Sequence, residues 1–398
     1  MAAAILDIEV DQLPHEVTGL SSYGHALALL RVRGRPVGQV SIPIIQGRIS
    51  GEALRAAVTD SVGWPIWQRC LHDFLGWDEN KVTDFISPPA TVAICTRDRP
   101  DDLRRCIDGL MCLPDDGQEL LVVDNCPSTD ATRKIADSYA RVRYVREDCP
   151  GLNVARNRAL REARNEVVAF IDDDASPDKE WLRALLRNFE DPLVYCVTGL
   201  TMPLELETDA QEWHERWSSF GRGFQRRAFE GFYFNPMAAG QIGSGVNMAL
   251  RHSVLDKLGP FDEALDAGTP TRSGGDSEMF SRILGSGYRI VYDPQALNWH
   301  RHRRTWKELR RMIFGYGVGV YAAWTSRMVS CPEIGVVSPA MGWLLRKQLP
   351  ALARCLILWP WNAPLDLAVA ELCGCVAGPW IYFSSRRQSR KKGGADGS

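Results

Sequence analysis

Val167-Val168-Ala169-Phe170-Ile171-Asp172-Asp173-Asp174 is the stretch on which the fold turns. Its apolar half is β-branched and aromatic, the composition of a buried strand. The carboxylates that end it cannot follow it into a core uncompensated. Upstream, Gly151 to Ala163 reads as a helix and Val142-Arg143-Tyr144-Val145 as a strand. Before them come a helix from Thr129 to Tyr139 and a strand at Glu119-Leu120-Leu121-Val122-Val123-Asp124. A helix opens near Pro100-Asp101-Asp102 with acids in its first turn, after the strand Thr91-Val92-Ala93-Ile94-Cys95-Thr96. Such alternation predicts a parallel sheet with helices on its faces. Ligands of these sheets gather at the carboxyl ends of the strands. Asp98, Asp124 and Asp172 to Asp174 all fall at or just beyond such ends.

A hard divalent cation, Mg2+ or Mn2+, suits the aspartate run, because it takes one or two carboxylates and fills its other positions with water and phosphate oxygens. Asp172 and Asp174 leave the strand on the same side, so both face one ligand. A solvated acidic loop is the plain alternative.

Other bulk features narrow the class. The chain has 398 residues and a net charge of -2, so no uniform positive field marks nucleic acid as a partner. Its 11 cysteines are odd in number and scattered, without a Cys-x-x-Cys pair. No leader-like segment precedes Asp7 and Glu9, so the expectation is reduced thiols in a cytoplasmic protein.

Residues 1–88 read as a small α+β module of unassigned role. It has strands at Ala26 to Val32 and Val37 to Ile42, a turn at Gly34-Arg35-Pro36, and a helix from Ser50 through Ala57. Ser87-Pro88-Pro89 marks its boundary. Residues 326–398 read as a helical extension. Its apolar stretch from Ala363 to Phe383, flanked by Pro364 and Pro379, precedes a basic tail of Arg386, Arg387, Arg390, Lys391 and Lys392. Asp366 and Glu371 would each cost a few kcal/mol at mid-bilayer, which favours a packed or interfacial helix over a span. Basic residues beside tryptophan suit loose contact with an anionic membrane, at the inner face of the cell membrane.

The region from about 91 to 320 resembles the family 2 glycosyltransferases, which have the GT-A fold. The resemblance rests on four motifs in the family's order: Thr96-Arg97-Asp98-Arg99-Pro100, Val122-Val123-Asp124-Asn125, Gly151-Leu152-Asn153-Val154-Ala155-Arg156-Asn157 and Asp172-Asp173-Asp174. It implies an α/β fold with a Rossmann-like, mixed but mostly parallel sheet and flanking helices, forming a catalytic domain over 89–325. It also implies an inverting transfer of sugar from a nucleotide-diphosphate sugar to the hydroxyl of a saccharide or glycolipid acceptor, with a divalent metal as cofactor.

By that resemblance Thr96, Arg97, Asp98, Asp124, Asn125, Arg156, Asp172 and Asp173 contact the donor. Asp98 and Asp124 offer acceptors to base and ribose, and Arg156, near a helix start, faces the diphosphate. Turn and cap roles would account for Asp98 and Asp124 as well. The Gly/Ser/Thr-rich loop from Gly268 to Gly275 delivers Asp276, the candidate general base; Gly275 stands where the family often has a glutamate. Glu278 is expected to position acceptor or helix. Tyr288 to His300 reads as a strand pair, and the family pattern makes His300 a metal ligand with Asp172 and Asp174; His302 is its competitor. Arg301, Arg303 and Arg304 are expected near the leaving diphosphate. Gly245 and Asn247, in a glycine-rich turn, are expected near the sugar.

Three other readings fit less well. A sugar-phosphate nucleotidyltransferase wants glycines in the loop after the first strand, which Thr96 to Pro100 lacks. A processive synthase wants a Gln-x-x-Arg-Trp motif and several spans. A sugar-nucleotide sensor without catalysis follows if Gly275 cripples the acidic pair.

Overall fold

The computed structural model describes residues 2–76, 87–331, 337–357 and 364–393. At the amino end β1 (Ala3–Glu9) lies parallel to β3 (His25–Val32), which pairs antiparallel with β4 (Arg35–Pro43). Two short strands, β2 (Glu16–Val17) and β5 (Ile49–Ser50), clip the segment before α1 (Gly51–Phe74). Ser50 caps α1, its hydroxyl accepting from Ala53 N at 3.2 Å. The helix runs well past the expected end at Ala57, because Leu54, Val58 and Val62 repeat every fourth residue and bury against the sheet. Pro65 sits inside it. The turn before β4 is Arg33-Gly34, one residue earlier than read from the sequence.

This unit docks on the larger sheet. Leu29 joins Leu200, Met202 and Leu297 in one buried cluster, and each such side chain contributes about 1.5–3 kcal/mol relative to exposure. Buried Arg31 ties Asp7 (2.7 Å) to Asp178 (2.6 Å) across the boundary.

Elements β6 (Ala90–Thr96), α2 (Pro100–Met111), β7 (Glu119–Asn125), α3 (Ala131–Asp137), β8 (Val142–Glu147), α4 (Leu152–Glu162) and β9 (Val167–Asp172) then alternate as expected. They are followed by β10 (Ala175–Pro177), α5 (Trp181–Leu186), β11 (Val194–Pro203), α6 (Asp209–Ser218), β12 (Arg227–Glu230), β13 (Asn247–Arg251) and α7 (Val254–Leu258). After α8 (Gly275–Gly285) comes β14 (Arg289–His300).

The nine strands form one sheet in the order β10-β14-β11-β13-β9-β6-β7-β8, with β12 on β14. From β8 to β9 every pairing is parallel; β13 runs against both neighbours, so β11 and β14 point the same way as β9. The sheet is thus mixed and mostly parallel. Alternate residues feed its two faces: Val92 and Ile94 pack with α2 and α5, while Ala93 and Leu121 pack with α4 and α8.

Residues 289–300 make one continuous strand through Pro294 rather than a strand pair, with its register against β11 shifting between Gly199 and Thr201. The chain continues into α9 (Trp306–Ser330), α10 (Val337–Trp343), α11 (Leu349–Ile357) and α12 (Leu365–Gly393). The expected boundary after residue 325 falls inside α9. Pro379 lies within α12 and does not flank it, while Ala363 and the side chains of Lys391 and Lys392 lie outside the described residues.

Helix α12 packs closely along α9. A Cβ at Gly378 would meet Tyr321 Cβ and Val318 O at 2.8 Å, so only glycine lets the backbones approach. Its two acids are engaged: Trp306 Nε1 donates to Asp366 at 2.7 Å and Trp217 Nε1 to Glu371 at 2.9 Å. All eleven cysteines are free thiols.

Candidate functional site

Register assembles the site. Thr96 lies beside Asp124 and Cys95 beside Asp172, so the ends of β6, β7 and β9 come level. Beyond β9 the chain turns at Asp173-Asp174 into β10, whose Ala175 pairs with His300 of β14. That pairing brings His300 Nε2 to 3.0 Å from Asp174 Oδ1. Ligand atoms of Asp172, Asp174 and His300 all lie within 4.8 Å of one another. Two carboxylate oxygens and an imidazole nitrogen form a donor set that fits a divalent cation and leaves positions for phosphate oxygens.

The remaining charge is partly matched by the protein. Arg99 Nη1 donates to Asp173 Oδ1 (3.0 Å) and Asp174 Oδ2 (3.1 Å), Thr96 Oγ1 donates to Asp173 Oδ2 (2.7 Å), and Arg303 lies 3.7 Å from Asp174. Burial and the charge of Asp174 push Asp172 and Asp173 above the ordinary carboxylate range. Burial works the same way on Asp174, but His300, Arg99 and Arg303 outweigh it and hold that group well below the range. His300 is correspondingly raised: burial opposes its charge, and Asp174 overcomes the opposition.

Asp276 is the second residue of α8, with Gly274 at the cap, so it does not cap the helix itself. Its Oδ2 accepts from Gly245 N at 2.8 Å and its Oδ1 from Ser277 N at 2.7 Å, leaving the carboxylate half-exposed and aimed by two backbone amides. Between it and the aspartate run sits Arg156, buried, bonded to Asp266 at 2.8 Å and attracted by Asp172 and Asp276. Gly245 makes room: a Cβ there would come within 2.5 Å of Arg156 Nη2. Three loops around these groups hold non-glycine residues at positive φ, namely Asp98 (54°), Cys126 (49°), and Asp266 (81°) and Arg272 (64°) together in the α7–α8 loop. Backbone strain of this kind persists where the surroundings over-determine it.

Beyond the ends of β6 and β7, exposed Asp98 accepts from Ser128 N (2.9 Å) and Oγ (2.8 Å), which lowers its pKa; exposed Arg97 lies 3.8 Å from it. Asp124 is buried, accepting from Tyr144 OH at 2.9 Å, while its Oδ1 has no hydrogen-bond partner; burial raises it. Asn125 bridges Cys149 O (2.8 Å) and Gly151 N (2.9 Å), joining β7 to the start of α4.

Several expectations need correction. Asn247 is fully buried, its amide donating to Leu200 O (2.9 Å) and Ala296 O (2.8 Å) and accepting from Trp181 Nε1 (2.8 Å), so it does not contact a sugar. Glu278 is buried against Arg282 (2.8 Å) and braces α8, the second of the two roles expected of it. Gly275 is buried, and a Cβ there would lie 2.6 Å from Asp266 Oδ2, so the glutamate common in the family does not fit at this position. Arg301 pairs with Asp102 (3.2 Å) and Arg304 with Glu205 (2.7 Å), so of the three arginines only Arg303 turns to the aspartates.

Arg99 and Asp266 carry weight that the sequence motifs did not give them. Arg99 lies inside Thr96-Arg97-Asp98-Arg99-Pro100, and a cation three residues after a strand end was a usable signal. Asp266 left none, since only the tertiary fold brings it to Arg156.

Residues 91–259 match the family model for glycosyl transferase family 2. The chain is 24% identical over 273 residues to glycosyltransferase AglE of Haloferax volcanii, covering 66% of this chain and 82% of that one. It is 29% identical over 267 residues to the pre-mycofactocin glycosyltransferase of Mycobacterium tuberculosis, covering 64% of this chain and 52% of that relative, about half its length. A mannosyltransferase from Pyrobaculum calidifontis, solved with GDP-Man and Mn2+, is similar at a TM-score of 0.47 and 18% identity over 87% of this chain and 86% of that one. Residues 91–259 carry a glycosyl transferase family 2 domain, and the relatives the chain resembles are glycosyltransferases.

Proposed function

We propose that this enzyme moves a sugar from a nucleotide-diphosphate sugar to the hydroxyl of a saccharide or glycolipid acceptor, with inversion. One observation carries the reading: two acidic functions converge at the strand ends, both attracting Arg156. The first is the Asp172, Asp174 and His300 donor set; the second is Asp276, half-exposed and aimed by backbone amides.

Asp276 takes the acceptor proton as the hydroxyl oxygen attacks the anomeric carbon. The new C–O bond forms opposite the old one, which breaks to release the nucleoside diphosphate. A cation held by Asp172, Asp174 and His300, Mn2+ or Mg2+, supplies Lewis-acid neutralisation of the departing charge. Arg99 and Arg303 add fixed positive charge at the same edge. Thr96, Arg97, Asp98, Asp124 and Asn125 line the strand ends where the nucleotide is read, with Arg156 and Asp173 organising the floor beneath.

We read 89–325 as the catalytic unit, 1–88 as an accessory module braced on it, and 326–398 as a helical extension that begins within α9. The outer face of the extension exposes Val376, Trp380 and Phe383 on α12 and Leu356 and Ile357 on α11. Arg354 and Arg387 lie alongside in sequence, supporting loose attachment to an anionic membrane surface at the cytoplasmic side. Leu365–Arg390 is also long and apolar enough to cross a bilayer by composition.

The test is a thermal-shift panel of UDP-, GDP- and dTDP-sugars with and without Mn2+, followed by transfer assays on the stabilising donor. One nucleotide giving a metal-dependent shift supports the reading. A shift with no transfer to any acceptor points to a sensor, and no shift at all ends the donor assignment.

A further inference from the structure

The metal-side histidine belongs to a longer chain of contacts. His300 Nδ1 lies 3.1 Å from His302 Nδ1, and His302 Nε2 lies 3.2 Å from Glu215 Oε2. Glu215 reaches in from α6, its other oxygen accepting from Ser219 Oγ at 2.7 Å. The His302 side chain is 1% exposed. His214 packs against it at 4.0 Å between ring centroids, and Phe220 stands edge-on to both His300 and His302.

Hydrogen-bond bookkeeping sets the direction of this chain. An ionised carboxylate only accepts, so Glu215 requires a proton on His302 Nε2. Neutral His302 then has a bare Nδ1, which requires a proton on His300 Nδ1. Asp174 Oδ1, 3.0 Å from His300 Nε2, accepts from a proton on that atom in the metal-free protein, and a cation that replaces this proton meets the Nε2 lone pair while Nδ1–H stays bonded to His302. The opposite polarity would set a bare His302 nitrogen against the Glu215 carboxylate and leave the His300 lone pair on Nδ1, away from the cation site.

We propose that Glu215 and His302 are positioning residues that fix the tautomer and ring orientation of His300, presenting Nε2 to the divalent cation. The proposal rests on the metal reading above. Partners of this kind commonly change metal affinity by 10–100-fold.

The experiment measures Mn2+ affinity of the full chain by titration calorimetry. His302→Phe should weaken binding about 10–100-fold, and His302→Gln should recover part of the loss, because an amide oxygen can accept from His300 Nδ1. Adding Glu215→Ala to His302→Phe should cost nothing further, since the relay is already cut. Unchanged Mn2+ affinity in folded His302→Phe, or no recovery with glutamine, overturns the proposal. Nitrogen-15 shifts of the imidazoles give an independent reading. A bare Nδ1 on His302 in the metal-free wild type supports the relay, and a protonated Nδ1 with a bare Nε2 overturns it. If the wild type fails to bind Mn2+, the metal reading falls on that result alone, while the shifts still decide the relay.

Discussion

Gly245 N donates to Asp276 Oδ2 at 2.8 Å, and this bond, with that from Ser277 N to Oδ1, fixes the orientation of the candidate base. Asp276→Asn keeps an oxygen to accept that bond, so fold and donor binding should survive. Transfer should fall by about 10²–10⁴, the usual contribution of a general base. Single-turnover assays at saturating donor check this, and near-normal turnover removes Asp276 from the role. Gly245→Ala should lower turnover as well, because its methyl would lie 2.5 Å from Arg156 Nη2 and 3.3 Å from Asp276 Cβ.

Asp174 is the partner of His300 (3.0 Å) and Arg99 (3.1 Å), so Asp174→Ala should act twice. Any Mn2+-induced rise in melting temperature should vanish. The metal-free protein should also lose stability at neutral pH, by up to about 3–5 kcal/mol if the cations left behind stay buried. Its pKa is depressed in the fold, so the wild type carries this stabilisation above the ordinary aspartate range and loses it on acidification. The difference between variant and wild type should therefore shrink below about pH 4. A constant difference across pH would contradict the assignment.

The opposite sign is expected at Asp124, whose pKa burial raises and whose Oδ1 has no partner. A raised carboxylate holds its proton more tightly folded than unfolded, so its cost appears as pH climbs from about 4. Asp124→Asn should melt higher than wild type at neutral pH, with the gap closing on acidification, and should bind the nucleotide more weakly. Melting curves from pH 4 to 8 together with a donor titration test both halves.

Trp181 is fully buried with its Nε1 bonded to Asn247 at 2.8 Å, tying α5 to β13. Trp181→Phe removes the donor and leaves volume behind. A loss of about 2–4 kcal/mol in denaturant unfolding is expected. Donor specificity should not change, since Asn247 serves the core.

For the α12 surface, co-sedimentation with vesicles containing anionic lipid should retain the wild type and release it at high salt. Trp380→Ser combined with Phe383→Ser should weaken retention without changing transfer to a soluble acceptor. Equal retention by the double variant would exclude this face.

Local pattern alone carried the alternating strands and helices from Ala90 to Asp172, and with them the placement of three acidic motifs at strand ends. Periodicity and turn residues act over a few positions, so one sequence displays them. The same pattern singled out the Asp172 to Asp174 run, while Asp276 came from the family resemblance. Local pattern could not choose among residues whose partners are distant. His300 faces Asp174 only because β10 pairs with β14, while His302, two residues on, turns to Glu215. Arg99 and Arg303 reach the aspartates, whereas Arg301 and Arg304 are held by Asp102 and Glu205. Asn247 looked like a ligand contact in a glycine-rich turn and proved to be a core hydrogen-bond hub. Composition and spacing therefore determined the sheet and the edge where chemistry belongs. Which polar side chains face that edge was decided by long-range strand pairing and by burial, because a buried polar group must find its partner wherever the chain supplies one.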